Sequence, residues 1–197
     1  NAPRDLAVAL NNLGDVLTRR GDPNGAYRAY HEALGLTLAL AREEPDSLLL
    51  QIDLTVSNDR IGDLFFAHGM FDRAAPIFEE NLAFRRRLLA RSPADRDNKL
   101  ALAASLERMG DIRMQEQNYR AARLLFQESL DLRAAMAAAD PGSSMLQADA
   151  ARTTNMVGDT YPQEGDFPEA RARYAASLAT RRRLARADPA NALLARD

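Results

Sequence analysis

Apolar and polar positions along this chain alternate with a helical period rather than a strand period. Between Leu54 and Phe66, the residues Leu54, Ile61, Leu64 and Phe65 fall on one face of a helix. Between Asp72 and Ala90, the residues Ala74, Ile77, Phe78, Leu82 and Leu88 do the same. Gly69 separates the two stretches, because glycine readily takes the left-handed conformation that closes a last turn. Pro93 stops the second, lacking an N–H and clashing with the preceding turn. The pattern predicts two helices joined by a loop too short to let them lie other than antiparallel.

The same pair recurs along the whole sequence. Gly14, Gly62, Gly110 and Gly158 stand 48 residues apart, each followed by an aspartate: Asp15, Asp63, Asp111 and Asp159. Pro45, Pro93, Pro141 and Pro189 keep the interval, as do Ala26, Ala74, Ala122 and Ala170, and Leu34, Leu82, Leu130 and Leu178. One ring position reads Tyr30, Phe78, Phe126 and Tyr174. A fixed period is the mark of a repeat array, in which each unit buries its apolar face against the next. We read the 197 residues as one array, with repeats at about 1–45, 46–93, 94–141 and 142–189 and the start of a further repeat at 190–197. Asp22, Asn118 and Asp166 stand where second helices begin and can cap them, with Pro23 and Pro168 tolerated in the first turn. Pro162 should bend or end its helix near Tyr161.

A family resemblance rests on these residues. Leu13, Gly14, Gly21, Asp22, Ala26, Tyr30, Ala33 and Leu34 have the spacing of the tetratricopeptide repeat, as do Ile61, Gly62, Gly69, Ala74, Phe78 and Leu82. Val157, Gly158, Gly165, Asp166, Ala170, Tyr174 and Leu178 repeat it, while the third repeat departs by carrying Gln117 in place of the second glycine. The chain resembles the long-helix variety found in bacterial multidomain proteins. Its period exceeds the usual 34 residues by 14, about seven per helix and close to two turns each. The resemblance implies an all-α fold, an α-solenoid of antiparallel helical hairpins wound as a right-handed superhelix, whose first helices line a concave groove for a peptide or partner segment.

Residues opposite Leu13 and its equivalents should face that groove. They form two rows, Asn11, Asp59, Glu107 and Asn155, then Asp15, Asp63, Asp111 and Asp159, with Phe66 and Met114 one turn further along beside Thr18 and Pro162. Neither row holds a basic residue. Asp59 with Asp63, and Glu107 with Asp111, set like charges four apart, at a cost of a few tenths of a kcal/mol each; Arg60 and Arg108 can relieve this by pairing three residues on. The aspartates either tie neighbouring helices together or make an acidic groove for a basic or amide-rich peptide. The family's clamps for acidic chaperone tails use lysine, arginine and asparagine here, so no such tail should bind. The arginine clusters, Arg85–Arg87 and Arg181–Arg183 with Arg133 alone between them, read as a solvated outer face paired with Glu79, Glu80 or Glu128.

Composition narrows the function classes. The chain is 46% hydrophobic and 27% charged, a globular balance, and its net charge of −2 offers no basic field for nucleic acid or a membrane surface. No run is apolar enough to span a bilayer, and no secretory signal is visible in the sequence, so the default expectation is a cytoplasmic location. Both termini nonetheless look cut from a longer array. Without cysteine there is no disulfide or thiolate chemistry. His31 and His68 do not recur at the repeat interval, and Ser105, Ser129 and Ser177 sit in no nucleophile elbow, so no enzyme activity, metal or cofactor is implied. The reading is a non-enzymatic scaffold for protein or basic peptide partners. The alternatives are the sensor or regulatory arm of a larger signalling protein, and self-association through exposed array ends.

Overall fold

The computed structural model describes residues 2–188, and the segment read as the start of a further repeat, 190–197, lies outside them. Among the described residues there are eight α-helices, one short 3₁₀ turn and no strand. The helices are α1 (Ala2–Arg19), α2 (Pro23–Glu43), α3 (Leu48–Ala67), α4 (Phe71–Arg91), α5 (Arg96–Gln115), α6 (Tyr119–Ala139), α7 (Ser144–Asp159) and α8 (Phe167–Ala187). The chain forms two compact units, 1–81 and 82–197, with the boundary inside α4. The first holds the α1–α2 hairpin, α3 and the first part of α4; the second holds the rest of α4 and the α5–α6 and α7–α8 hairpins.

Helix ends follow from local chemistry. Asp22, Asn118 and Asp166 each accept a hydrogen bond from the backbone N–H three residues on, and Asp95 and Ser143 do the same for α5 and α7. Pro162 ends α7 as its backbone requires, and the 3₁₀ turn Pro162–Glu164 follows. The helix read from Leu54 onward in fact begins at Leu48. Its first turn escaped the periodicity because Leu48, Leu49 and Leu50 are consecutive and cannot share a face; Leu50 alone is buried.

Each hairpin closes on one contact. A Cβ placed on Gly14 would lie 2.2 Å from the Tyr30 ring, on Gly62 2.4 Å from the Phe78 ring, and on Gly110 2.2 Å from the Phe126 ring. The ring therefore rests directly on the first helix's backbone, and the second helix approaches it through a fully buried alanine, Ala26, Ala74 or Ala122. In the second unit Phe126 also meets Val157 of the following first helix, with Met114, Leu130, Met156 and Tyr161 packed around them. One ring thus joins its own hairpin and the next.

The short turn between paired helices needs a left-handed residue. Gly21, Gly69 and Gly165 supply it with φ of 75°, 72° and 81°, whereas Gln117 is forced to φ 60° at the same register. A side chain in that region carries a penalty of roughly 1–2 kcal/mol, part of which glycine's greater unfolded-state freedom gives back. Gln117→Gly should therefore raise the unfolding free energy by about 1 kcal/mol in urea titration. Unchanged or reduced stability would show that the turn holds glutamine without strain.

Candidate interaction surface

In the first unit the acidic positions are drawn into ties between helices. Asp15 accepts the Tyr30 hydroxyl at 2.9 Å and a two-pronged contact from Arg60 of α3, at 2.9 and 3.1 Å. Burial pushes the Asp15 carboxyl up, but the hydrogen bonds from Arg60 and Tyr30 and the Arg60 charge outweigh it and hold it below the ordinary value. Arg60 therefore reaches back to the preceding hairpin. Asn11 is buried and donates to Ser57 at 3.0 Å; Asp59 is half-buried and accepts from Asn81 at 2.8 Å. Asp63 is exposed. Phe66, half-buried, packs edge-on against Phe71 with ring centroids 5.1 Å apart.

In the second unit the corresponding row is anchored by a buried ion cluster. The Glu107 carboxylate, only 8% exposed, accepts from Arg133 at 2.8 and 3.1 Å, from Arg152 at 2.8 Å, from Thr153 at 2.7 Å and from Ser129 at 2.9 Å. Arg133 reaches Asp149 as well, at 3.2 Å. Burial pushes the Glu107 carboxyl up, yet the Arg133 and Thr153 hydrogen bonds and the two guanidinium charges win and hold it below its ordinary value. Asp111 and Asn155 are half-buried, Met114 packs beside the Phe126–Val157 contact, and Asp159 is exposed. Asp159 accepts the Tyr174 hydroxyl at 2.7 Å, and burial together with that bond and charge pushes the phenol up to about 12.

The structure thus gathers Asn11 and Asp15 with α3 in the first unit, and seats Asp111, Met114, Asn155 and Asp159 on α5 and α7 of the second. The arginine column is a correction. Arg85 and Arg133 were expected on a solvated outer face, and both are buried. The outer-face reading stands for Arg86, Arg87, Arg182 and Arg183, which are exposed, and Arg86 pairs with Glu128 at 2.6 Å. The cue available in the sequence was register: Arg133 lies 26 residues after Glu107, as Asn81 lies 26 after Thr55, whose carbonyl Asn81 binds. Arg123 was missed altogether; it stacks over Tyr161 at 3.9 Å, bonds Thr160 and pairs with Glu164, pinning the 3₁₀ turn to α6. Among the described residues no group of side chains could hold a metal ion, and no helix is long and apolar enough to cross a membrane.

Comparison with known proteins agrees with this architecture. A tetratricopeptide repeat family model matches residues 6–40, the body of the α1–α2 hairpin, so the resemblance read from the sequence holds there. No curated protein matches the sequence. Among solved structures, BtubC (BKLC) from P. vanneervenii is similar with a TM-score of 0.73 at 20% identity over 92% of this chain. The match covers 65% of that protein, so this chain spans just under two thirds of it. The MamA protein aligns at 14% identity over 93% of this chain and 96% of its own, with a TM-score of 0.48. A MamA fragment from Desulfovibrio magneticus RS-1 aligns at 18% over 90% and 96%, with a TM-score of 0.46. The class of fold is the helical repeat of antiparallel hairpins, and in general terms tetratricopeptide repeats serve protein–protein interaction.

The Glu107 cluster sets a pH dependence. Its folded carboxyl holds a proton less tightly than the unfolded one, so its contribution is complete above the ordinary value of 4.5 and is lost as pH falls through the lower folded value. In urea unfolding from pH 7 to pH 3, the wild-type chain should lose more stability than Glu107→Gln; parallel losses would remove Glu107 from the account. Arg133→Met, which leaves the carboxylate buried with less compensation, should cost about 3 kcal/mol at pH 7.

Proposed function

We propose that the chain is a non-enzymatic interaction scaffold that holds a basic peptide or partner segment on the first helices of its hairpins. The observation that carries this reading is the exposure of two acidic side chains on the first helices. Asp63 in the first unit and Asp159 in the second are exposed, whereas Asp15 is half-buried and Glu107 buried. Asp63 shares its helix face with half-buried Phe66, three residues on, and Asp159 shares its own with half-buried Asn155, four residues back. An exposed carboxylate beside an apolar or amide side chain suits a basic residue whose stem packs while its charge pairs. Fluorescence anisotropy with an arginine-rich peptide should show binding that weakens at least fivefold in Asp63→Lys or Asp159→Lys with helicity retained. An acidic peptide of equal length should not bind. Equal affinity of the wild type and both variants would place the partner on another face.

A second reading, self-association, has its own support. Tyr174 is 37% exposed and Leu13 49%, although their register equivalents Phe126 and Val157 pack on each other inside the second unit. The Leu13 and Tyr174 faces therefore match the two sides of a contact the fold already makes, and two copies can pack these faces on each other. Light scattering should then show mass rising with concentration, and Tyr174→Glu should suppress the rise. A concentration-independent monomer removes this reading.

A further inference from the structure

A cavity of about 530 Å³ opens in the second unit, on the side of α6 that faces the first turn of α5. Its wall is an apolar stripe of α6, Leu132, Ala135, Met136 and Ala139, at the spacing of one helix face. Arg96 and Lys99 close it from α5. The volume lies within the roughly 300–1,000 Å³ typical of small-molecule sites, and one methionine in the wall lets it adapt to its contents.

The repeat explains why this space is open. At the register of Ala135 the neighbouring second helices carry Arg87 and Arg183, and at the register of Lys99 the neighbouring first helices carry Gln51 and Gln147. In the last hairpin Arg183 reaches across to α7 and donates to the Gln147 side-chain oxygen at 2.8 Å. The third hairpin has changed both partners. Ala135 removes the long side chain that would cross the space, and Lys99, the only lysine in the sequence, replaces the amide acceptor with an ammonium donor.

The surrounding charges leave that donor in want of an acceptor. Glu128 is held by Arg86 at 2.6 Å, Asp140 lies 3.7 Å from Arg96, and Asp131 accepts from Gln127 at 2.8 Å. Among the described residues no hydrogen bond or ion pair engages the Lys99 ammonium. The cavity therefore offers an apolar wall with one uncommitted cation at its edge. Its complement is an aliphatic body ending in a single anionic acceptor.

We infer that this cavity binds a small aliphatic monocarboxylate, with the chain along the α6 stripe and the carboxylate on Lys99. This goes beyond the interaction reading and uses a different face of the molecule. Isothermal titration with decanoate, below its micelle concentration, should give saturable binding of one molecule per chain, and 1-decanol should bind at least tenfold more weakly. Lys99→Gln, which restores the residue of the sibling repeats, should weaken decanoate at least tenfold. Ala135→Arg, likewise a sibling residue, should abolish it by refilling the space. Both variants should keep wild-type helicity because their side chains already occur at these registers. Absence of saturable binding, equal binding of the alcohol, or indifference to Lys99→Gln overturns the site even if Ala135→Arg misfolds. A peptide ending in a free leucine carboxylate that binds more tightly than decanoate, with the same sensitivity to Lys99→Gln, overturns the small-molecule assignment in favour of a partner chain.

Discussion

An aromatic ring lying on a glycine is the contact that orders this fold. Without a Cβ on Gly14, Gly62 or Gly110, the ring of Tyr30, Phe78 or Phe126 sits against helix backbone at a distance that alanine would forbid. In the second unit the far side of Phe126 meets Val157, so one side chain fixes both the crossing within a hairpin and the seating of the next first helix. A contact that recurs every 48 residues carries every other position with it. Polar side chains at fixed offsets therefore arrive at equivalent places, whatever their chemistry.

Those equivalent places are filled in different ways. Asn11 reaches Ser57, and Thr153 reaches Glu107, each across 46 residues between successive first helices. Asn81 reaches Asp59, and Ser129 reaches Glu107, each across 22 residues within a hairpin. The first unit satisfies the inter-helix position with an amide and a hydroxyl, the second with a carboxylate and two guanidiniums. An ion cluster costs more to bury than an amide–hydroxyl pair and more to break. What it adds is specificity of register, since a slipped hairpin would strand Glu107 without its arginines.

Hairpin architecture was legible in the sequence because it rests on residues whose physics is local: glycine at the close contact, aspartate and asparagine at caps, proline at Pro162. The positions of Arg85 and Arg133 were not, because an arginine in a run such as Arg85–Arg87 reads as solvated from sequence alone, and the buried partner of Arg133, Glu107, lies on another helix. Asp15 and Glu107 could be placed on a row but not assigned exposure. Their side chains face other helices as well as the row, and the reach of Arg60, Arg133 and Arg152 ties these two carboxylates down.

Strict periodicity makes departures from it informative. A repeat that only had to stack would keep glycine at 117 and either arginine or a well-packed substitute at 135. Gln117 is a departure that the backbone tolerates, visible as a left-handed glutamine with nothing gained in packing around it. Ala135 and Lys99 form a departure of another kind, since two positions that touch in the neighbouring repeat have changed together, one losing bulk and the other gaining charge. Loss of bulk alone would leave a cavity that destabilises by its volume, and a lone charge at its rim would add no compensation. The combination makes physical sense when something else fills the space and meets the charge, which places the chain's individual chemistry where its repeats disagree rather than where they match.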